Sequence, residues 1–177
     1  MPDLNWVEKK INVHGVDLKG FTLLVPGVND FTAVEFNDPP EWQSDPDKFF
    51  SGVDTTKITI PKKHAGRYYL CATIRWERSD HKEYQIPDRD SCSFLAYLTK
   101  NGDTMEHHLE DSHMSAAPIV KASKTVMNLL WEGRLRKDDF IKLFIARNGT
   151  IIGDDDLPVS IMVNVWLTLR RLGTQKP

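Results

Sequence analysis

Lys57-Ile-Thr-Ile-Pro61 and Ala65-Gly-Arg-Tyr-Tyr-Leu-Cys-Ala-Thr-Ile-Arg-Trp76 are the two segments that decide the fold class of this chain. From Tyr68 to Trp76 every second residue is apolar, and the residues between them include Cys71, Thr73 and Arg75. This period of two is the pattern of a β-strand that buries one face. The two segments predict a strand, a tight turn and a second strand, and therefore an antiparallel β protein.

The composition is that of one domain with one hydrophobic core, since the chain has 177 residues, of which 40% are hydrophobic and 27% are charged. The net charge of −2 and the scattered Lys and Arg residues argue against nucleic acid as a ligand. No apolar run reaches the roughly 20 residues needed to span a bilayer, and Met1–Trp6 lacks the pattern of a signal peptide. We therefore expect synthesis in the cytoplasm and no membrane insertion.

The chain is predicted to have an N-terminal arm, residues 1–27, followed by a β domain, residues 28–177. The apolar residues of the arm keep no clear period, and the candidates for docking onto another protein are Trp6, Val7, Ile11 and Val13. After the arm, turn signals such as Asn101-Gly102 and Asn148-Gly149 separate about eight apolar, alternating segments. This spacing favours a β-sandwich or a jelly roll.

Four segments resemble the jelly roll shared by tumour necrosis factor and the globular heads of complement-type proteins, in the form common in bacterial and phage proteins. They are Phe31–Phe36 before a loop, Thr55–Pro61 running into Gly66–Tyr68, Leu98–Gly102 at a strand end, and Trp166–Gly173. The resemblance covers about Val28 to Gly173. It predicts an all-β antiparallel jelly-roll sandwich of about 8–10 strands.

The resemblance also implies a tight homotrimer, because members of this fold usually pack apolar side chains around a three-fold axis. Several strands carry apolar residues on both faces, which one-sided burial does not explain. The candidates for the trimer interface are Tyr69, Phe140, Phe144, Met162 and Trp166. An alternative is that loops or the arm cover these second faces.

Two groups of residues are weak candidates for metal ligands. If the segment after Met105 is a strand, His107, Asp111 and His113 share one face and present two imidazoles and a carboxylate to an ion such as Zn²⁺. Asp154 and Asp156 carry oxygen ligands of the kind that Ca²⁺ prefers. Neither group has a recognised ligand spacing, so a polar loop and an acidic turn are the simpler interpretations.

No nucleophile motif and no glycine-rich phosphate loop is present, so the sequence indicates neither an enzyme nor a cofactor. The leading hypothesis is a structural or adhesive homotrimer on the surface of a phage or virus particle, such as a head decoration, head fibre or tail-associated protein. Its partner is then another virion protein or a cell-surface receptor or glycan. The alternative is an extracellular module of the complement-head type that binds a saccharide or a protein receptor, for which Trp42, Tyr84 and Trp131 are possible aromatic contacts.

Overall fold

A computed structural model describes residues 14–24, 31–44, 48–79, 93–109, 114–116, 124–149, 152 and 159–172. These residues form two antiparallel β-sheets and one short 3₁₀ turn, Met105–His107. The six-stranded sheet contains β1 (Gly15–Leu24), β3 (Glu35–Phe36), β4 (Trp42–Gln43), β6 (Gly66–Arg78), β9 (Lys124–Leu135) and β11 (Ile161–Arg171). The five-stranded sheet contains β2 (Thr32–Ala33), β5 (Lys57–Thr59), β7 (Ser93–Lys100), β8 (Met114–Ala116) and β10 (Phe140–Asn148).

The strand order in the six-stranded sheet is β3–β1–β11–β6–β9, with β4 also paired to β1. In the other sheet the order is β2–β10–β7–β8, with β5 also paired to β10. The first and the last long strands of the described chain are thus neighbours, and all pairs are antiparallel. The prediction of an antiparallel β protein is confirmed.

The core lies between the two sheets and contains the alternate residues that the sequence pattern assigned to one face. Tyr68, Leu70, Ala72, Ile74 and Trp76 of β6 are all fully buried. Across the core, the Trp76 indole stacks on the Phe94 ring of β7 with ring centroids 4.3 Å apart, and its Nε1 donates a hydrogen bond to the Met127 sulfur. Burial of these large side chains is the main stabilising contribution to the sandwich.

The segments around Pro61 form two strands, as predicted, but the strands belong to different sheets. Strand β5 pairs with β10 and places Ile58 opposite Ile141, whereas β6 lies between β11 and β9. The turn between them includes a hydrogen bond from the His64 N–H to the Pro61 carbonyl. A local alternation pattern predicts strands but not their partners, because pairing depends on contacts that are distant in sequence.

The predicted strand Phe31–Phe36 is likewise divided between the two sheets. Strand β2 pairs with β10, and β3 pairs with β1. Between them Val34 is fully buried and its N–H donates to the carbonyl of Leu143. The chain therefore crosses the edge of the sandwich within this segment.

The predicted arm needs a correction in its second half. Residues Gly15–Leu24 form β1, which pairs with β11 over its whole length. Val16 and Leu18 are buried in the core, so this strand is an integral part of the sheet. An arm remains a prediction for residues 1–13 only. These residues, with the candidates Trp6, Val7, Ile11 and Val13, lie outside the described residues.

Gly133 lies inside β9, and the chain turns after this strand, at residues 136–139. A glycine is required at this position because the Trp131 ring approaches it closely. A β-carbon at Gly133 would lie 2.3 Å from the ring carbon Cζ2 of Trp131. The glycine thus makes room for a buried indole within a strand.

Candidate interaction surface

The outward face of the six-stranded sheet carries most of the exposed large hydrophobic side chains. Phe21 and Leu23 project from β1, Val126 and Leu130 from β9, Trp166 from β11 and Tyr69 from β6, each between 36% and 57% exposed. We call these six residues the open apolar face. Within the described residues, the other exposed large hydrophobic side chains are Trp42 and Val53.

The register of the strands brings the open apolar face together from segments that are far apart in sequence. Trp166 lies opposite Lys19 on one side and Thr73 on the other. Phe21 lies opposite Asn164, next to Trp166 along the diagonal. Lys19, Phe21, Asn164 and Trp166 surround a small concavity of about 160 Å³. Four neighbouring strands, from β1 to β9, thus contribute to one continuous outward surface.

A network of polar contacts borders the open apolar face near the start of β1. The Arg170 guanidinium forms an ion pair with Asp17 at 2.6 Å and lies over the Trp42 ring, 4.5 Å from its centroid. The Thr168 hydroxyl donates to the other oxygen of Asp17. Trp42 is therefore held by a cation–π contact of its own chain. This polar border fixes the orientation of the side chains around the apolar residues.

The outward face of the five-stranded sheet is also apolar, but residues of the same chain cover it. Phe144 is 6% exposed and stacks on Tyr97, with centroids 5.5 Å apart. The Phe31 ring packs edge-on against Tyr97 at 4.7 Å. Burial raises the pKa of the Tyr97 hydroxyl, as expected for a phenol removed from water.

Phe140 lies on this same outward face, four residues before Phe144. It is half-buried between two lysines, with the Nζ atoms of Lys57 and Lys142 at 5.6 Å and 6.0 Å from its ring centroid. Asp54 and Asp103 form ion pairs with these lysines, at 3.2 Å and 2.9 Å. The ring is thus surrounded by charged side chains of its own chain.

The five predicted trimer-interface residues therefore do not lie on one surface. Tyr69, Met162 and Trp166 project outward from the six-stranded sheet, whereas Phe140 and Phe144 belong to the opposite sheet. Phe144 is 6% exposed and packs beside Tyr97, its cross-strand partner, so the alternative of a second face covered by the protein itself applies to it. Sequence reasoning placed both apolar faces in one interface because alternation identifies an outward residue but not the sheet that carries it.

Four residues of the open apolar face were not among the predicted interface residues: Phe21, Leu23, Val126 and Leu130. A signal for the last two was present, since Thr125–Trp131 has apolar residues at both even and odd positions. Strand β9 buries Met127, Leu129 and Trp131, and exposes Val126 and Leu130 by more than half. The same parity count applied to β1 separates Phe21 and Leu23 from the buried Leu18 and Leu24.

Of the predicted metal ligands, His107 alone lies within the described residues; Asp111, His113, Asp154 and Asp156 lie outside them. His107 belongs to the 3₁₀ turn rather than a strand, and its Nδ1 lies 2.9 Å from the Thr104 hydroxyl. The prediction of a strand that places His107 on a metal-binding face is therefore wrong at His107. Among the described residues, no three His, Cys, Asp or Glu side chains lie close enough together to hold a metal ion.

The sequence also has two cysteines and three candidate aromatic contacts for a ligand. Cys71 is a free, half-buried thiol on β6, while Cys92 lies outside the described residues. Trp131 is 8% exposed and packs in the core, so its role as an aromatic contact for a ligand is wrong, and Tyr84 lies outside the described residues. No helix in the described part of the chain is long and apolar enough to cross a membrane.

Comparison with known proteins identifies the fold but no family. No family model and no curated protein sequence matches the chain. Among solved structures, murine APRIL at pH 8.0 is similar, with a TM-score of 0.50 and 11% identity over 90% of this chain and 99% of that one. The globular domain of the zebrafish complement 1qA protein gives a TM-score of 0.48 and 12% identity, over 86% of this chain and 94% of that one. The two sheets and the similarity to the APRIL structure show that the chain folds as an antiparallel, tumour necrosis factor-like jelly-roll sandwich.

Proposed function

We propose that this protein is a non-enzymatic structural or adhesive protein that assembles as a homotrimer through the open apolar face. The observation that carries the proposal is the exposure of Phe21 and Leu23 on β1 and of Val126 and Leu130 on β9, each more than half exposed on the same side of one sheet. Monomeric soluble proteins rarely expose this many large apolar side chains on one face, and such a face is typical of an interface.

A second copy of the chain is the occupant that the sequence resemblance favours. Tumour necrosis factor-type jelly rolls are expected to be trimers, and the predicted interface residues Tyr69, Met162 and Trp166 project from the same face. Charged side chains at its border, such as Arg170 and Asp17, are paired within the chain, which leaves the apolar residues as the main contacts available. Burial of several large side chains at once contributes enough free energy for a stable oligomer.

The biological setting that we propose is the surface of a phage or virus particle, where a trimer serves as a decoration, head fibre or tail-associated protein. This setting follows from the bacterial and phage form of the jelly roll that the sequence resembles. Residues 1–13, with Trp6, Val7, Ile11 and Val13, are the proposed docking segment, since β1 starts only at Gly15. The alternative, an extracellular saccharide-binding or receptor-binding module, is favoured by the small concavity between Phe21 and Trp166.

The first experiment is light scattering after gel filtration, over a dilution series, on the wild-type chain and two variants. We expect a wild-type mass of three times 20.3 kDa. Leu130→Glu places a charge in the open apolar face and should give a folded monomer. Val53→Glu is the matched control, because Val53 is 93% exposed but lies outside this face, and should leave the mass unchanged.

A wild-type monomer, or a trimer that Leu130→Glu does not affect, would contradict the proposed interface. Circular dichroism on each variant separates a loss of assembly from a loss of folding.

Removal of residues 1–13 tests the docking segment without removing β1. We expect the truncated chain to keep the native mass of the full chain and to lose attachment to purified particles in a co-sedimentation assay. Attachment equal to that of the full chain would contradict the docking segment, and leave the trimer proposal unaffected.

A further inference from the structure

A strongly basic concavity lies at one end of the six-stranded sheet, where β6 begins and β9 ends. It has a volume of about 830 Å³, and its arginines are Arg67, Arg134 and Arg136. The rest of the lining is Ala65, Gly66, Glu132, Gly133, Leu135 and Leu172. Volumes of this size are typical of sites that hold small organic ligands. The concavity adjoins the open apolar face, because Glu132 is the cross-strand partner of Tyr69, and one chain forms it entirely.

The two central arginines face each other on neighbouring strands. Arg67 on β6 is the direct cross-strand partner of Arg134 on β9. Such partners have β-carbons about 5 Å apart, and like charges at this position destabilise a sheet. The chain carries a net charge of only −2, so a general excess of positive charge does not explain this pair. A bound anion removes the repulsion.

One acidic side chain lines the concavity, and it neutralises one of the three arginines. The Glu132 carboxylate lies 2.6 Å from Nε of Arg67. In the described part of the chain, no acidic side chain forms an ion pair with Arg134 or Arg136, and both are exposed. Two guanidinium groups therefore remain available to a ligand, that of Arg134 near the end of β9 and that of Arg136 just after it.

Two glycines line the concavity, and each leaves room for another side chain of the chain, Trp131 at Gly133 and Arg171 at Gly66. Gly66 lies opposite Leu135, and Gly133 lies opposite Tyr68. The Arg171 guanidinium packs against Gly66, where a β-carbon would lie 2.8 Å from its Nε, and Nη2 donates to the Ala65 carbonyl. Arg171 thus adds a further fixed positive charge next to the lining, and a side chain at Gly66 would displace it.

We propose that this concavity binds a tetrahedral oxyanion, a phosphate or sulfate group. The planar guanidinium donates two parallel hydrogen bonds to such a group, and two arginines side by side provide four donors. The volume exceeds that of the anion alone, which suits an ester of a small organic molecule. One chain carries the whole site, so binding does not require assembly of the proposed trimer.

The test is titration of the native full-length protein at constant ionic strength with glucose 6-phosphate, inorganic phosphate and glucose. Calorimetry measures the affinity, and amide chemical shifts of ¹⁵N-labelled protein locate the site. We expect both phosphate compounds to bind, glucose alone not to bind, and the amides of Gly66 and Gly133 to shift. Tighter binding of glucose 6-phosphate identifies an ester as the ligand, whereas equal affinities identify the free ion.

Two single variants remove the available charges from the concavity. Arg134→Gln and Arg136→Gln should each weaken phosphate binding by about tenfold or more, because each removes hydrogen bonds between charged groups. Lys57→Gln is the control, since it removes one positive charge on the opposite sheet and should leave the affinity unchanged. The proposal is overturned if neither phosphate compound binds the wild type, or if Arg134→Gln and Arg136→Gln bind as tightly as the wild type does.

Discussion

The two sheets of this sandwich both have apolar outward faces, but only one of these faces is covered by the chain itself. On the five-stranded sheet, Phe144 stacks against Tyr97, its cross-strand partner, and is 6% exposed. On the six-stranded sheet, Phe21 and Leu130 are 57% and 56% exposed. Apolar residues at outward positions of this sandwich therefore have two different roles. The covered ones stabilise the single chain, and the exposed ones are available to a partner.

The comparison predicts that variants on the two faces fail in different ways. The largest effect on the single chain is expected from Phe144→Ala, which leaves a cavity beside Tyr97. We expect it to lower the free energy of unfolding by about 3–5 kcal/mol. The measurement is urea denaturation in the Leu130→Glu background, where assembly does not contribute to the stability.

Phe140→Ala is the matched control for this prediction, since Phe140 lies on the same strand and the same face but is only half-buried. Its expected cost is about 1 kcal/mol, mainly from the lost contacts with Lys57 and Lys142. If both variants cost the same, the covered cluster around Tyr97 is not what distinguishes the two faces. A change of native mass in Phe144→Ala, measured without Leu130→Glu, would also contradict the distinction.

A smaller effect is expected from Asp139→Asn, at the end of the covered sheet. Burial raises the pKa of Asp139, but hydrogen bonds from the Arg136 N–H, Asn101 and Lys100 outweigh it and lower the pKa overall. Asp139 accepts from Asn101 at 2.8 Å and forms an ion pair with Lys100 at 3.0 Å. Removing its charge should lower the free energy of unfolding, measured by urea denaturation, by about 2 kcal/mol.

Asp103→Asn is the control for Asp139→Asn, because Asp103 also pairs with a lysine but its side chain is 65% exposed. An exposed ion pair contributes little to stability, so we expect the free energy of unfolding to change by no more than about 0.5 kcal/mol. Equal effects of the two variants would show that burial of Asp139 is not important for this end of the sheet.

The smallest expected effect is a loss of stability at low pH, and it also concerns the five-stranded sheet. A hydrogen bond from the Thr56 hydroxyl lowers the pKa of Asp54 from 3.8 to about 2, and the Lys57 ion pair contributes in the same direction. A lowered pKa means that the stabilisation is present above pH 4 and is lost as the pH falls through 2. Because the Asp54 side chain is 35% exposed, we expect its ionised form to contribute less than about 1 kcal/mol to the free energy of unfolding.

The measurement is urea denaturation at pH 5, 4, 3 and 2.5 for the wild type and Asp54→Asn. The stability of the wild type should fall more steeply than that of Asp54→Asn over this range. Parallel curves would show that the contacts of Asp54 with Thr56 and Lys57 contribute nothing to the stability of this edge.

The sequence by itself determined the strands and the inward residues, because the side-chain period of two is a local property of the backbone. Tyr68 to Trp76 is the clearest case, since every residue assigned to the inner face is fully buried. The resemblance of the sequence to the tumour necrosis factor jelly roll also predicted the sandwich. Candidate interface residues on β6 and β11 were correctly identified as outward-facing for the same local reason.

Only the tertiary structure decided which sheet each strand joins and which outward face remains open. Pairing of β1 with β11, and packing of Phe31 against Tyr97, join residues far apart in sequence, so no local pattern encodes them. The same holds for the basic concavity, because Arg67 and Arg134 meet only through the register of β6 and β9. Alternation assigns a residue to a side of its strand, and the register of distant strands then determines its neighbours.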